Sequence, residues 1–244
     1  MNTGFSTGCL YKLDIDVYER IKLYNQLGAS ALEIMFNDPG QMDNFKASKE
    51  VVRDIEKFEF VSLHAPNDKN SKYNLTLQSK RMIEKLKYLC GEFEVSGIVF
   101  HPNTIENFSV LEKSGLPILL ENMDSRNQVG ITPEYFEKIK NNYDFRFVLD
   151  LQHVYENDSS MELVQDYIQA MGNRLKHLHL SGQTDFSGHY PTYFSSNKEA
   201  IENVLSIGIN IPKISEGVLE RDMSKNVSEI LSEELEFISS FEKR

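Results

Sequence analysis

The stretch Phe145-Arg146-Phe147-Val148-Leu149-Asp150-Leu151-Gln152-His153 decides the fold of this chain. It follows a polar turn at Asn141-Asn142, is mostly apolar, and closes on a carboxylate with an imidazole three residues later. A short apolar run of this kind predicts a strand covered on both faces, as parallel strands are when helices pack outside them. Ligand sites in parallel α/β proteins open at the carboxyl ends of the strands, so Asp150 and His153 are placed at the mouth of a cleft. For one strand alone the plainer alternative, Asp150 as the cap of the next helix, would be preferred. Repetition along the chain shifts that balance.

Outward from this run, short β-type segments alternate with longer amphipathic ones, eight of each. Strands are expected at 4–9, 31–35, 59–63, 97–100, 117–120, 145–150, 175–180 and 211–215. Helices are expected at 14–27, 46–57, 77–93, near Leu111, from Thr132-Pro133, and at 160–170, 197–205 and 224–241, with Thr132 as a cap and Pro133 at the first helical position. Such units, joined by right-handed crossovers, predict an α/β protein built as a single (β/α)8 TIM barrel. An open doubly wound sheet is the alternative, but Gly4-Phe5-Ser6-Thr7-Gly8 lacks the spacing of a dinucleotide-binding loop.

With 244 residues, 40% hydrophobic and 26% charged, the chain can bury the core of one large domain, expected to span 1–244. No linker or low-complexity tract divides it. The formal charge of −11 argues against a broad nucleic-acid surface. Cys9 and Cys90 lie far apart in no metal-type spacing, so neither a disulfide framework nor a thiolate zinc site is expected. The N-terminal MNTGFSTGCLYK has no signal pattern and no apolar run reaches membrane-spanning length, so a cytoplasmic protein without a membrane partner is expected.

All six histidines, His64, His101, His153, His177, His179 and His189, fall near or just beyond expected strand ends, and Glu121, Asp150 and Glu216 terminate strands directly. Barrel closure gathers such positions into one ring at the carboxyl mouth. Mixed imidazole and carboxylate donors suit zinc, manganese or iron(II) better than calcium or magnesium. Each residue also has an ordinary reading. Strand-end histidines are commonly loop residues, Glu121 and Glu216 could be rim charges paired with lysine, and Asp124, Asp185 and Glu33 could be solvated charges. His177 shares a strand face with His179 but lies one layer deeper, as a core histidine or one supporting a ligand. The ordinary readings explain the joint pattern badly, because carboxylates and imidazoles packed this closely call for a cation.

Ser62-Leu63-His64-Ala65-Pro66 with Asn74-Leu75, Phe100-His101-Pro102, Leu120-Glu121-Asn122, Asp150-Leu151-Gln152-His153, His177-Leu178-His179-Leu180 and Ile214-Ser215-Glu216 resemble the strand-end motifs of the xylose isomerase-like TIM-barrel superfamily. The resemblance runs in order over nearly the whole chain and is closest to the endonuclease IV branch. It implies that Glu121, Asp150, His179 and Glu216 are the metal ligands shared by the sugar isomerases and epimerases, with Glu121 and Glu216 also acting as acid and base and His153 contacting substrate. For the endonuclease IV branch it implies a second ion on His64 and His101, bridged by Glu121, and a third on His153 and His189, activating water against a phosphodiester. Two departures stand out. Ser187 occupies the place of an aspartate two residues before His189, with Asp185 two residues too early, and segment 36–44 is acidic and short of the arginines and aromatics that a DNA-inserting loop needs.

These readings predict an enzyme holding one to three divalent ions, zinc or manganese with iron(II) as a further option, that isomerises or epimerises a small sugar, sugar phosphate or polyol. Asn122, Gln152, Ser181 and Arg126 are the expected substrate-binding residues beside catalytic Glu121, Glu216 and His153. Phosphodiester hydrolysis of the endonuclease IV kind is the alternative, and a non-catalytic binding barrel a third. Around the mouth Lys12, Lys69, Lys72 and Arg126 stand against Asp38, Asp43, Asp68, Asp124 and Asp185, which disfavours nucleic acid without excluding it.

Overall fold

The computed structural model describes residues 2–185, 187–221, 223 and 225–241. Eight parallel strands, β1 (Thr3–Ser6), β2 (Ala31–Met35), β3 (Phe60–His64), β4 (Gly97–Phe100), β5 (Ile118–Glu121), β6 (Arg146–Asp150), β7 (Leu175–Leu180) and β8 (Lys213–Ser215), pair in sequence order. The ring closes where β8 returns to β1, with Thr3 opposite Lys213 and Phe5 opposite Ser215. This is a single (β/α)8 barrel. Outward-facing side chains such as Phe5 pack under the helices, its ring 4.9 Å from that of Tyr24, and belong to the main hydrophobic core.

Inward-facing positions follow the period of two that a strand imposes. Nearest the amino ends they are apolar: Ala31, Phe60 and Ile214 form one buried cluster and Val99, Leu119 and Val148 another, both apart from the core under the helices. These side chains make a floor. Two residues further along β2, β5, β6 and β8 the same face carries Glu33, Glu121, Asp150 and Glu216. Gly97 keeps the floor closed without strain, because a Cβ there would meet Leu119 Cδ1 at 2.3 Å.

The helices are α1 (Val17–Gln26), α2 (Pro39–Asn44), α3 (Lys49–Ile55), α4 (Leu77–Glu92), α5 (Phe108–Glu112), α6 (Pro133–Asn142), α7 (Leu151–Asn157), α8 (Leu163–Met171), α9 (Lys198–Leu205) and α10 (Val227–Ser239). Among the described residues none is long and apolar enough to cross a membrane. Several boundaries differ from expectation. The first strand stops at Ser6, not at residue 9, because the Ser6 hydroxyl accepts from Gly8 N and the chain turns into a 3-10 segment over Thr7–Leu10. The segment expected as an acidic loop contains α2, started by Asp38 Oδ1 accepting from Gln41 N at 3.0 Å and by Pro39 in the first turn. Consequently the helix expected at 46–57 shortens to α3. Thr132 precedes Pro133 as expected but makes no side-chain capping bond. Asn226 caps α10, whose expected start at Ser224 lies outside the described residues.

Candidate metal centre

Six of the ligand candidates rise from the carboxyl ends of six different strands, while His153 lies in α7 and His189 in the segment after β7. His64, Glu121 and Asp150 are the last residues of β3, β5 and β6; His101 and Glu216 follow β4 and β8 directly, and His179 is penultimate in β7. Ligand atoms of Glu121, Asp150, His179 and Glu216 lie within 4.8 Å of one another, as do those of His64, His101 and Glu121. Glu121 belongs to both sets. Its Oε1 is 2.7 Å from His179 Nδ1, while Oε2 is 3.4 Å from His64 Nε2 and 3.0 Å from His101 Nε2. Glu216 Oε2 approaches His179 Nδ1 from the other side at 3.3 Å.

The outer nitrogens of these rings are tied down. A carbonyl can only accept, so His64 Nδ1 carries the proton it donates to Ala65 O at 3.0 Å, and His153 Nδ1 the one it donates to Asn122 O at 2.7 Å. His189 Nδ1 is held by the Ser181 hydroxyl at 2.9 Å. In each ring Nε2 is left for the cavity, the arrangement expected of metal-ligating or substrate-facing imidazoles. His179 is turned the other way, with Nδ1 toward the carboxylates and Nε2 pointing down to Glu33.

Asp150 shows how well the site fits a cation. Its Oδ1 accepts from His153 N at 2.8 Å as the cap of α7, whereas the buried Oδ2 has no hydrogen-bond partner. Capping and ligation therefore use different oxygens of one carboxylate. Burial raises the Asp150 carboxyl to about 6, against the pull of His153. Burial also works against ionised Glu121, but the His179 charge and hydrogen bonds from His101, His179 and His64 hold it well below the usual range. Burial opposes charge on His64 and His153 as well. It is outweighed by the Glu121 hydrogen bond at His64 and by the charge of Asp150 at His153, and both rise to about 9. Protons on imidazoles thus offset negative charge that a divalent cation would offset in a loaded centre. Three carboxylates and one imidazole suit zinc or manganese.

A cavity of about 490 Å³ opens above this ring, lined by Ser6, Asn37, Asn67, His101, His189 and Arg126 among others. His153 and His189 line it with rings 5.5 Å apart, but among the described residues no carboxylate joins them in a third ligand set. Ser187 donates to the His189 carbonyl at 3.2 Å, and Asp185 is exposed outside this cavity. Of the expected substrate contacts, His153 and Arg126 line the cavity, and Asn122, Gln152 and Ser181 do not. Asn122 is fully buried and spends its amide on the Asp150 backbone. Gln152 is buried against Asn197, whose amide donates to it at 3.0 Å, and Ser181 sits behind His189. Asn122 stands one residue beyond inward-facing Glu121, Ser181 two residues beyond His179, and Gln152 lies in the first turn of α7; all three support the site from outside the cavity. Lys69 and Lys72 do not line the cavity; Lys72 reaches the Asn103 carbonyl at 3.0 Å.

Two residues that could have been ordinary solvated charges, Asp124 and Glu33, are buried. Asp124 holds Arg126 by a forked ion pair, Nε to Oδ1 at 3.0 Å and Nη2 to Oδ2 at 2.7 Å, with His153 Nε2 at 3.8 Å. Burial works against its charge, yet the Arg126 hydrogen bonds keep its carboxyl at about 2. Glu33 is fully buried, beneath the ring. Its signal in the sequence is its place between Ala31 and Met35, on the inward face of an otherwise apolar strand. Asn37 and Asn67 were missed; only their positions shortly after β2 and β3 could have marked them.

No family model matches the chain. An uncharacterised protein of Methanocaldococcus jannaschii is 24% identical over 221 residues, covering 78% of this chain and 78% of its own length. Among solved structures, a D-tagatose 3-epimerase-like protein superposes with a TM-score of 0.65 at 21% identity, covering 98% of this chain and 99% of that one. A D-psicose 3-epimerase gives 0.70 at 11% identity, with 100% of both chains covered. Endonuclease IV from Thermus thermophilus gives 0.69 at 15% identity, covering 99% of this chain and 98% of that one. The chain thus shares its barrel fold with sugar epimerases, endonuclease IV and a xylose isomerase domain-containing protein.

Proposed function

We propose that the chain is a divalent-metal-dependent isomerase or epimerase acting on a small sugar or polyol at the mouth of the barrel. The observation that carries this reading is the pair Glu121 and Glu216 flanking His179 Nδ1, at 2.7 and 3.3 Å, beside a buried Asp150 whose Oδ2 is unpartnered. Glu121, Asp150, His179 and Glu216 would hold the ion, which when bound polarises a substrate carbonyl and acidifies the neighbouring C–H. The two glutamates rise from β5 and β8, so their carboxylates reach a bound sugar from different sides of the barrel. One carboxylate oxygen takes the proton from the carbon beside the carbonyl, and the other carboxyl returns a proton to the opposite face, inverting that centre. His153 Nε2, aimed into the cavity by the Asn122 carbonyl, together with Asn37, Asn67 and His189, offers hydrogen bonds to hydroxyls. The lysine and the arginine lining the cavity are already paired, Lys12 with Glu220 and Arg126 with Asp124 and Glu156, which favours a neutral sugar over its phosphate.

A second reading, two-ion phosphodiester hydrolysis of the endonuclease IV kind, draws support from the assembled set His64, His101 and Glu121. The experiment that separates them incubates the zinc- or manganese-loaded protein with a panel of ketoses in deuterated water and, separately, with duplex DNA bearing an abasic site. Deuterium entering the sugar beside its carbonyl is expected. Metal-dependent strand cleavage with no exchange into any sugar would reverse the assignment.

A further inference from the structure

Beneath the ligand ring, Glu33 on β2, Ser62 on β3 and His177 and His179 on β7 form a fully buried cluster around one carboxylate oxygen. Glu33 Oε2 accepts from Ser62 Oγ at 2.8 Å and meets His179 Nε2 at 3.2 Å, with His177 Nε2 at 3.6 Å. A carboxylate so deeply buried is costly unless it is well hydrogen-bonded. The proposed chemistry gives Glu33 nothing to do, since it does not line the cavity.

Its geometry supplies a role. An ionised carboxylate can only accept, so the His179 nitrogen that faces Glu33 keeps its proton, and a divalent ion that displaces the proton Nδ1 donates to Glu121 would find its lone pair on Nδ1. Nδ1 is the nitrogen that faces Glu121 and Glu216. His177 could not impose this choice, because its Nε2, 3.1 Å from His179 Nε2, can serve as either donor or acceptor. We propose that Glu33 is the positioning residue of the metal centre, fixing the His179 ring so that Nδ1 and not Nε2 is presented to the ion, with Ser62 steadying the carboxylate from β3. The inference rests on reading Glu121, Asp150, His179 and Glu216 as the metal ligands, and not on which reaction they perform.

The test uses the full chain with Glu33→Ala and Glu33→Gln, titrated with zinc alone by calorimetry. Metal-free thermal unfolding and the side-chain proton–nitrogen spectrum of His179 are followed in parallel. Glu33→Ala is expected to weaken zinc binding about 10- to 100-fold, the usual loss when a ligand histidine loses its outer partner. In the zinc-loaded variant the one proton left on His179 should then divide between the two ring nitrogens. Glu33→Gln, whose side-chain carbonyl still accepts, should recover most of the affinity and keep the proton on Nε2. Unchanged affinity in Glu33→Ala overturns the proposal. So does a Glu33→Gln variant as weak as Glu33→Ala, which would make charge the active property, and so does loss of one whole ion, which would make Glu33 a ligand. If Glu33→Ala does not fold, Glu33→Gln decides by its spectrum, a reversed His179 ring counting against the proposal. Failure of the unaltered chain to bind zinc overturns the metal-centre reading together with this one.

Discussion

Asn122 grips the backbone of Asp150 at both ends, its Oδ1 accepting from Asp150 N at 2.6 Å and its Nδ2 donating to Asp150 O at 3.0 Å. The pairing fixes where β6 stops, and with it the direction of the unpartnered Asp150 Oδ2. Asn122→Ala leaves a buried donor and a buried acceptor without partners, each costing about 1–3 kcal/mol. Urea unfolding of the metal-free variant should show a loss of that order, and zinc affinity should fall with it. A stability change within about 0.5 kcal/mol, the range of an ordinary surface substitution, would contradict this role.

Glu121 is the residue common to both ligand sets. Glu121→Ala is therefore expected to reduce bound zinc to near zero ions per chain, measured by elemental analysis after gel filtration, while the barrel stays folded by circular dichroism. Retention of wild-type metal content would remove Glu121 from the centre.

The protons on the ring make the metal-free protein sensitive to alkali. His64 and His153 sit at about 9 in the folded chain against an ordinary 6.5, so the stability linked to them is complete below pH 6.5 and is lost as pH rises through 9. His101 and His189 are lowered by burial and act only below that window. The unfolding temperature of the metal-free chain should fall steadily from pH 6.5 to 9. With saturating zinc the profile should flatten, because the ligands then hold metal in place of protons. A flat metal-free profile over the same range is the contrary result.

Among the described residues His153 and His189 face each other without a carboxylate to complete a set, so this pair is not expected to hold an ion. His189→Ala should leave zinc stoichiometry unchanged and raise the KM for the sugar, since this ring lines the cavity. Loss of an ion in that variant would show that His189 is a ligand after all.

Much of this was legible in the sequence because the barrel converts strand ends into a ring. Apolar runs closing on His64, Glu121 or Asp150 named both the strand and the functional group at its end. The residues whose setting the sequence left open share a physical reason. Glu33 looks like any charge on a strand until closure of the barrel shows that its inward face is sealed, and Asp124 looks solvated until Arg126 folds over it. Asn122 and Gln152 were close enough to the ligands to suggest substrate contact, but Asn122 turns to the Asp150 backbone and Gln152, in the first turn of α7, to Asn197, directions that one sequence does not reveal. The short helix α2 was hidden by its composition, since Pro39, Gly40 and Asp38 serve a turn and a helix start equally well.

The apolar floor has a kinetic corollary. Ala31, Phe60 and Ile214, with Val99, Leu119 and Val148, stop the barrel below the ligand ring, so everything that reaches the ring arrives by the same doorway. On the proposed function, an ion held by Asp150 and His179 would lie at the closed end of that passage, and a sugar above it would block the exit. Addition would then be compulsory in order, ion before sugar, and departure would run in reverse. A chelator would strip the centre only between turnovers, so saturating substrate should protect the activity against chelation.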